Sequence, residues 1–458
     1  MQGTDVYLWK TKIGTVIQQE PNSPAVFSYD SKFVKSGIEI SPVTMPLSGQ
    51  NYTFPALNEE SFHKLPGLLA DSLPDKYGTK VFESYLAKSG RANQKPSAIE
   101  RLCYTGSRGM GALEYVPATG PQIPDSSLDI DELAKLADTI LSERSNVKIA
   151  ADEEAVAQLL KIGTSAGGAR AKALIAWNEA TKSIRSGQID AGDGYTYWLL
   201  KFGSLKNNKD KDREADYSDY SKIEYAYALM ARDAGIDMMD CKLIKSNEGY
   251  HFMTKRFDRT NNGEKIHMQT LGALAHYDYN EAGAHSYEQT AMIMRRIGLK
   301  QKEIEQLYLR MLFNEIAKNY DDHVKNISFL MNRKGEWKLS PGYDITFAYN
   351  AASMWTSSHQ MRIDGKRDGI TMDNLRECGK VMDISCRKMD RMIEKVSTVV
   401  ANWKRYAEYV GLDEARMEYI KGFHLKQTEV RGMVGQDIVL PCLEASIKRS
   451  PVAYTCLY

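Results

Sequence analysis

The stretch Asn319-Tyr-Asp-Asp-His-Val-Lys-Asn326 constrains this chain most. It runs into Ile-Ser-Phe-Leu330 and is followed by Leu339-Ser-Pro-Gly-Tyr-Asp344. Asp321 and Asn326 share one loop, and Asp344 stands at a strand end. Between them lies a short hairpin, Ile327–Met331 and Trp337–Leu339, turning at Asn332-Arg-Lys-Gly335. Phosphoryl transfer from a nucleotide asks little covalent chemistry of a protein. It needs a carboxylate to orient and deprotonate an attacking hydroxyl, and oxygen ligands for magnesium. One Asp, an Asn five residues later and a second Asp beyond a hairpin supply that set. Taken alone the spacing also fits solvated loop acids, so its meaning depends on what precedes it.

Composition bounds the alternatives. With 458 residues the chain has room for two or three domains and an ample core, and 43% apolar with 26% charged residues is ordinary for a soluble protein. A net charge of +1 gives no global footprint for nucleic acid, so DNA contact is expected only indirectly, through a partner. Six scattered cysteines without a CxxC pair read as reduced thiols in the cytoplasm. The start Met-Gln-Gly-Thr-Asp has no signal-peptide pattern, and no apolar run approaches the roughly 20 residues that span a bilayer, so no membrane partner is expected.

Along the chain, Val6–Trp9, Ile13–Ile17 and Ala25–Tyr29 read as strands, and Phe62–Lys88 as helical stretches. Pro117, Gly120, Pro121 and Pro124 mark a linker. Asp129–Ser145 is an amphipathic helix with Leu133, Leu136, Ala137 and Ile140 on one face. A glycine-rich turn, Lys161–Lys172, feeds the apolar strand Ala173–Trp177, and Tyr195–Lys201 is a second buried strand ending in a lysine. The polar segment Lys206–Ser221 reads as a loop. Ile223–Ala234 is a helix carrying Glu224 in its first turn and stopped by Gly235. Asp240–Lys245 and Tyr250–Phe257 form a strand pair. After Arg259 the pattern becomes mostly helical, with Glu303–Lys318 showing a stripe of Ile304, Leu307, Tyr308, Met311, Leu312 and Ile316.

This order runs from a glycine turn through a strand lysine, a helix glutamate and a linking strand to a helical half with the Asp–Asn–Asp set. Further stretches complete it: Leu65–Asp75, Ile99–Glu114, Gly163–Lys172 and Lys255-Arg-Phe-Asp-Arg259. On these residues the chain resembles, over nearly its whole length, the HipA family of serine/threonine kinases, the toxins of bacterial toxin–antitoxin pairs. The resemblance implies an α+β, bilobal protein-kinase-like fold. Its parts would be an N-terminal α/β subdomain over 1–120, a β-rich N-lobe over 121–258 and a mainly helical C-lobe over 259–458.

The resemblance also implies site roles. Asp321 would be the catalytic base, and Asn326 and Asp344 would hold Mg²⁺. Gly167, Gly168, Ala169, Arg170, Ala171 and Lys172 would form the phosphate loop for ATP, and Lys201 would bind phosphate. Lys255, Arg256 and Phe257 would link the lobes and contact adenine, while His323, Lys325 and Tyr343 would line the nucleotide site. Ser165, with Thr164 beside it, matches the position at which family members phosphorylate themselves.

The expected partners are a helix-turn-helix antitoxin and a protein substrate, for which glutamyl-tRNA synthetase, an aminoacyl-tRNA synthetase, is the family precedent. Its modification would stall translation and induce dormancy. The first 115 residues resemble a subdomain that some systems encode as a separate chain. Two rivals stay open: a catalytically weak co-repressor and a small-molecule phosphotransferase, since a fold does not fix a substrate. Residue by residue, Glu224 pairs with Lys201 or only favours its helix terminus. Asp322 shapes the loop, and Asp258 with its flanking arginines forms a structural ion network. His251, His267, His276 and His285 are surface or packing residues.

Overall fold

Two strands that bury alternate side chains open the chain: β1 (Gln2–Leu8), with Val6 and Leu8 inward, and β2 (Thr11–Gln18), with Ile13 and Val16 inward. In the computed structural model, which describes residues 1–88, 90–91, 95–121, 123, 127–142, 170–203, 219–425 and 441–449, they join β3 (Val26–Tyr29), β4 (Asn51–Tyr52) and β5 (Leu113–Val116). The sheet is antiparallel, in the order β4-β3-β2-β1-β5. Gly14 permits the close approach of β2 and β3, because a Cβ there would lie 2.4 Å from the Ser28 carbonyl oxygen.

Helix α1 (Lys76–Lys88) turns Tyr77, Val81 and Phe82 away from this sheet and into the next core. Helix α2 (Ala98–Thr105), started by a Ser97/Glu100 capping box, packs on the first sheet through Ile99 and Leu102. Helix α3 (Ile130–Ser142) is the expected amphipathic helix. Leu133, Leu136 and Ala137 are buried, while the Ile140 side chain and residues 143–145 lie outside the described residues.

A second antiparallel sheet has the order β7-β6-β8-β10-β9. Its strands are β6 (Lys172–Asn178), β7 (Ile184–Ser186), β8 (Tyr195–Phe202), β9 (Cys241–Ser246) and β10 (Gly249–Lys255). Lys172 and Lys201 are register partners on β6 and β8, which brings two cations to one end of the sheet. Between β8 and β9 runs helix α4 (Tyr220–Asp233), packed on β9 and β10. It claims Tyr220 and Ser221, which the sequence assigns to the polar loop, because Ser221 and Ile223 are buried by the fold. Residues 204–218 of that loop lie outside the described residues.

The expectation of a mostly helical remainder needs one correction. Strand β11 (His267–Thr270) pairs with β12 (Ser328–Met331), which pairs with β13 (Trp337–Leu339). Four residues are too few to show a period, and the strand exists only through a partner some sixty positions away. The helices of this half are α5 (Leu271–Ala275), α6 (Tyr287–Arg296), α7 (Gln301–Ile316), α8 (Met372–Val381), α9 (Cys386–Ala401), α10 (Trp403–Tyr409), α11 (Glu414–Lys421) and α12 (Pro441–Arg449), with α5 on β11 and both α10 and α12 on α4. The whole expected α7 stripe is buried in this largest core.

Cys103, Cys241, Cys378, Cys386 and Cys442 carry no disulfide, and among the described residues no helix is long and apolar enough to cross a membrane.

Candidate active site

Lys201 sits on the central strand β8, with its ammonium between two carboxylates and over the Phe252 ring. Its Nζ donates to Glu224 Oε1 of α4 at 2.6 Å and to Asp344 Oδ1 at 2.5 Å. Glu224 therefore does pair with Lys201. Burial pulls the Lys201 ammonium down, but Asp344 and then Glu224 outweigh it and hold it above the ordinary lysine range. Burial also works against the Asp344 carboxylate. The Lys201 charge prevails and keeps it below the usual carboxylate range. Glu224, deeper and close to Asp344, is pushed up by burial despite the same cation. One ammonium thus serves two carboxylates, holding Asp344 below the usual range while Glu224 stays above it.

Asp344 holds a left-handed backbone, φ 55°. A non-glycine residue there is uncommon, although Asp tolerates it better than most, and such outliers gather at functional sites. Its position is fixed from both sides. Gly342 N donates to Asp237 O at 2.7 Å, and a Cβ on Gly342 would meet Met238 Sδ at 2.7 Å. Tyr343 Oη donates to Lys325 O at 2.6 Å and bonds Ser328 Oγ at 2.5 Å. That phenol ties the irregular segment bearing Asp344, which lies beyond β13 and not at a strand end as expected, to the loop bearing Asn326. Phe257 packs on the Tyr343 ring at 5.3 Å.

In the loop, Asn326 Nδ2 donates to the Asp321 carbonyl at 2.7 Å, which leaves its amide oxygen as the outward acceptor. Asn326 and Asp344 line one cavity, with Tyr343, Asn319 and Arg310. Two oxygen donors on one cavity, one of them an ionised carboxylate, suit a hard divalent cation whose other ligands are phosphates and water. The Asp321 side chain stays 47% exposed, with His323 Nε2 at 4.0 Å. Its neighbour Asp322 is the buried anchor, accepting from Tyr287 Oη at 2.8 Å and from Gln360 N at 2.7 Å.

Lys172 points to this end of the sheet too, but its Nζ pairs at 2.9 Å with Asp75 of the N-terminal unit, both side chains being under a tenth exposed. The Arg170 guanidinium lies 3.7 Å from the Tyr220 ring centre. Lys325 lies over the Tyr279 ring at 4.2 Å, and burial lowers its ammonium. Thr164, Ser165, Gly167, Gly168 and Ala169 lie outside the described residues.

Two expected nucleotide contacts point elsewhere. Arg256 turns inward and grips Asp258 with two bonds, at 2.9 and 2.8 Å, so its guanidinium belongs to the ion network. Lys255 Nζ bonds Asn261 Oδ1 at 2.8 Å. The four histidines named from the sequence all pack: His251 accepts from Gly203 N, His276 accepts from Gly67 N, His267 is fully buried and His285 stacks on Tyr277. Asp75 lies inside a stretch that carries the family resemblance, yet its pairing has no local signal. His359, described below, has none either.

Family models match over most of the chain: a HipA N-terminal domain over residues 4–116, and a HipA-like C-terminal domain over residues 164–403, more than half of the 458 residues. The chain belongs to the HipA family. Among solved structures, the HipA of Shewanella oneidensis MR-1, in its complex with HipB and operator DNA, superposes with a TM-score of 0.65 at 16% identity, covering 96% of this chain and 97% of that one. That likeness shows a shared mixed α/β fold. A putative kinase of Haemophilus influenzae is 26% identical over 148 residues, 30% of this chain and 43% of that protein. The putative kinase Y4dM of Sinorhizobium fredii is 25% identical over 181 residues, 32% and 42% respectively. The chain thus spans less than half the length of these two curated relatives.

Proposed function

We propose that this HipA-family chain is an ATP-dependent serine/threonine protein kinase acting as a toxin in the cytoplasm, with the bilobal organisation of that class. The observation that carries the reading is the convergence of Lys201, Glu224 and Asp344, with Lys201 and Asp344 meeting from positions 143 apart in sequence. A phosphate-binding lysine steered by a helix carboxylate, beside a metal-binding aspartate, is the arrangement phosphoryl transfer uses. Asn326 and Asp344 would hold Mg²⁺, which when bound neutralises the β- and γ-phosphate oxygens.

The chain's own groups do the rest. Lys201 would orient the phosphates, with Lys172 beside it. Asp321, half-exposed at the loop tip, would take the proton from the acceptor hydroxyl. Phe257 and Tyr343 offer aromatic faces at the edge of the site. A helix-turn-helix antitoxin like the HipB of the Shewanella complex is the expected partner, bringing DNA contact with it. An aminoacyl-tRNA synthetase is the substrate class proposed, and Ser165 or Thr164 the position of self-modification.

Asp321→Ala tests this. Transfer of labelled γ-phosphate to lysate proteins should fall by about 10²–10⁴-fold, as expected for loss of a general base. ATP binding, measured by calorimetry, should hold within about threefold, because uniform binding is untouched. Wild-type transfer by that variant would overturn the assignment.

A further inference from the structure

His359 lies in the irregular segment between Asp344 and α8, and it is completely buried. Its Nδ1 is 2.7 Å from Asp322 Oδ2 and its Nε2 is 2.9 Å from Glu315 Oε2. Both carboxylates have other donors. Glu315, at the end of α7, accepts from Lys318 Nζ at 2.9 Å and from Tyr320 Oη at 2.9 Å. Asp322 accepts from Tyr287 Oη and from Gln360 N. An ionised carboxylate only accepts, so a ring facing one at each nitrogen must carry two protons. A neutral imidazole would turn a lone pair onto one of the two oxyanions.

The remaining surroundings agree with a cation. The Tyr320 ring sits 4.2 Å from the imidazole, and Arg367 Nε bonds the His359 carbonyl rather than the ring. Lys318 is the nearby cation on this face, and it is paired to the other oxygen of Glu315. Burial opposes the charge, but Asp322 and then Glu315 outweigh it and raise the ring to about 9.

We propose that His359 is a positioning residue for phosphoryl transfer: an imidazolium clamp between Glu315 and Asp322 that fixes the loop presenting Asp321. The inference rests on the kinase reading above. The Asp321 side chain is half-exposed. Its backbone is set on one side by Asn326 and on the other by the buried carboxylate of Asp322. Without the cation, Asp322 and Glu315 would face each other across the space the ring leaves, and the loop would move to separate them. A misplacement on the order of 1 Å at a reacting group can cost about 10²-fold.

The test uses the full chain with ATP·Mg²⁺ and a phosphorylatable lysate fraction. His359→Gln, which keeps the volume and loses the charge, should lower kcat about 100-fold while KM for ATP stays within about threefold. Adding Glu315→Gln should restore part of kcat by removing one of the facing charges. The wild-type kcat should fall as pH rises through about 9, and His359→Gln should lack that limb. Nitrogen NMR should find both His359 ring nitrogens protonated at neutral pH. A folded His359→Gln with wild-type kcat, or a neutral His359 ring, overturns the proposal. If that variant fails to fold, the wild-type pH profile and ring spectrum still decide it. A protonated ring in a wild-type chain that transfers no phosphate defeats the kinase reading alone and leaves the clamp as structure.

Discussion

Two buried ion clusters in this molecule use the same side-chain chemistry to opposite ends. Just beyond β10, Asp258 is wholly buried and accepts two parallel bonds from Arg256, a third from Arg259 Nη1 at 2.8 Å and a fourth from Gly111 N at 2.7 Å. Two guanidinium groups outvote burial and hold its carboxyl below the usual range. Both carboxylate oxygens are answered by protein, and the group is closed off from solvent. Around Lys201 the arithmetic is reversed. One cation answers two carboxylates, and the Asp344 side chain is 37% exposed on a left-handed backbone. A closed network holds two chain segments together, whereas an under-neutralised one with an open side is a receptor for added positive charge.

The contrast can be broken experimentally. Asp258→Asn should cost about 3–5 kcal/mol of stability by urea unfolding, because two buried guanidinium groups lose their counter-charge. Lys201→Met should lower transfer by about 10²–10³-fold, the size expected for one preorganised donor. Its stability loss should be smaller than that of Asp258→Asn, since Glu224 can take a proton. Equal stability losses in the two variants would erase the distinction.

The smallest expected effect is in acid. The folded pKa of Asp258 is depressed, so its stabilisation is complete above its unfolded value and is lost as pH falls through the folded one. The deficit of Asp258→Asn should therefore stay constant from pH 7 to 5 and shrink only below about pH 4. A deficit that disappears by pH 5 would mean that Asp258 is not the charged partner.

What the sequence makes legible follows the range of the interactions. Strands β6 and β8, the β12–β13 hairpin and the α7 stripe are visible because adjacent residues carry the signal, as an apolar run, a turn or a helical stripe. Lys201, Glu224 and Asp344 are visible through motif order, which stands in for contacts no local pattern reveals. Asp322 reads correctly as a loop-shaping neighbour. The turn of Arg256 toward Asp258 is where two readings of one stretch compete, and the ion network wins the side chain because a buried carboxylate cannot stay unpaired. The Asp75–Lys172 pair, 97 positions apart, and the bridging by His359 leave no trace in spacing. Isolated polar residues in such segments look alike whether they end up in water or at the centre of a network.

The contacts of the N-terminal unit with the rest of the chain include three to polar groups of the larger part. Asp75 holds Lys172, Asp71 accepts from Thr270 N and Oγ1 at the start of α5, and the Gly111 amide caps Asp258. A gene fission separating the first hundred or so residues would strip these ligands from the larger fragment. Such a split pair could work only as a tight heterodimer, with the small subunit acting as an obligatory cofactor for its partner's shape.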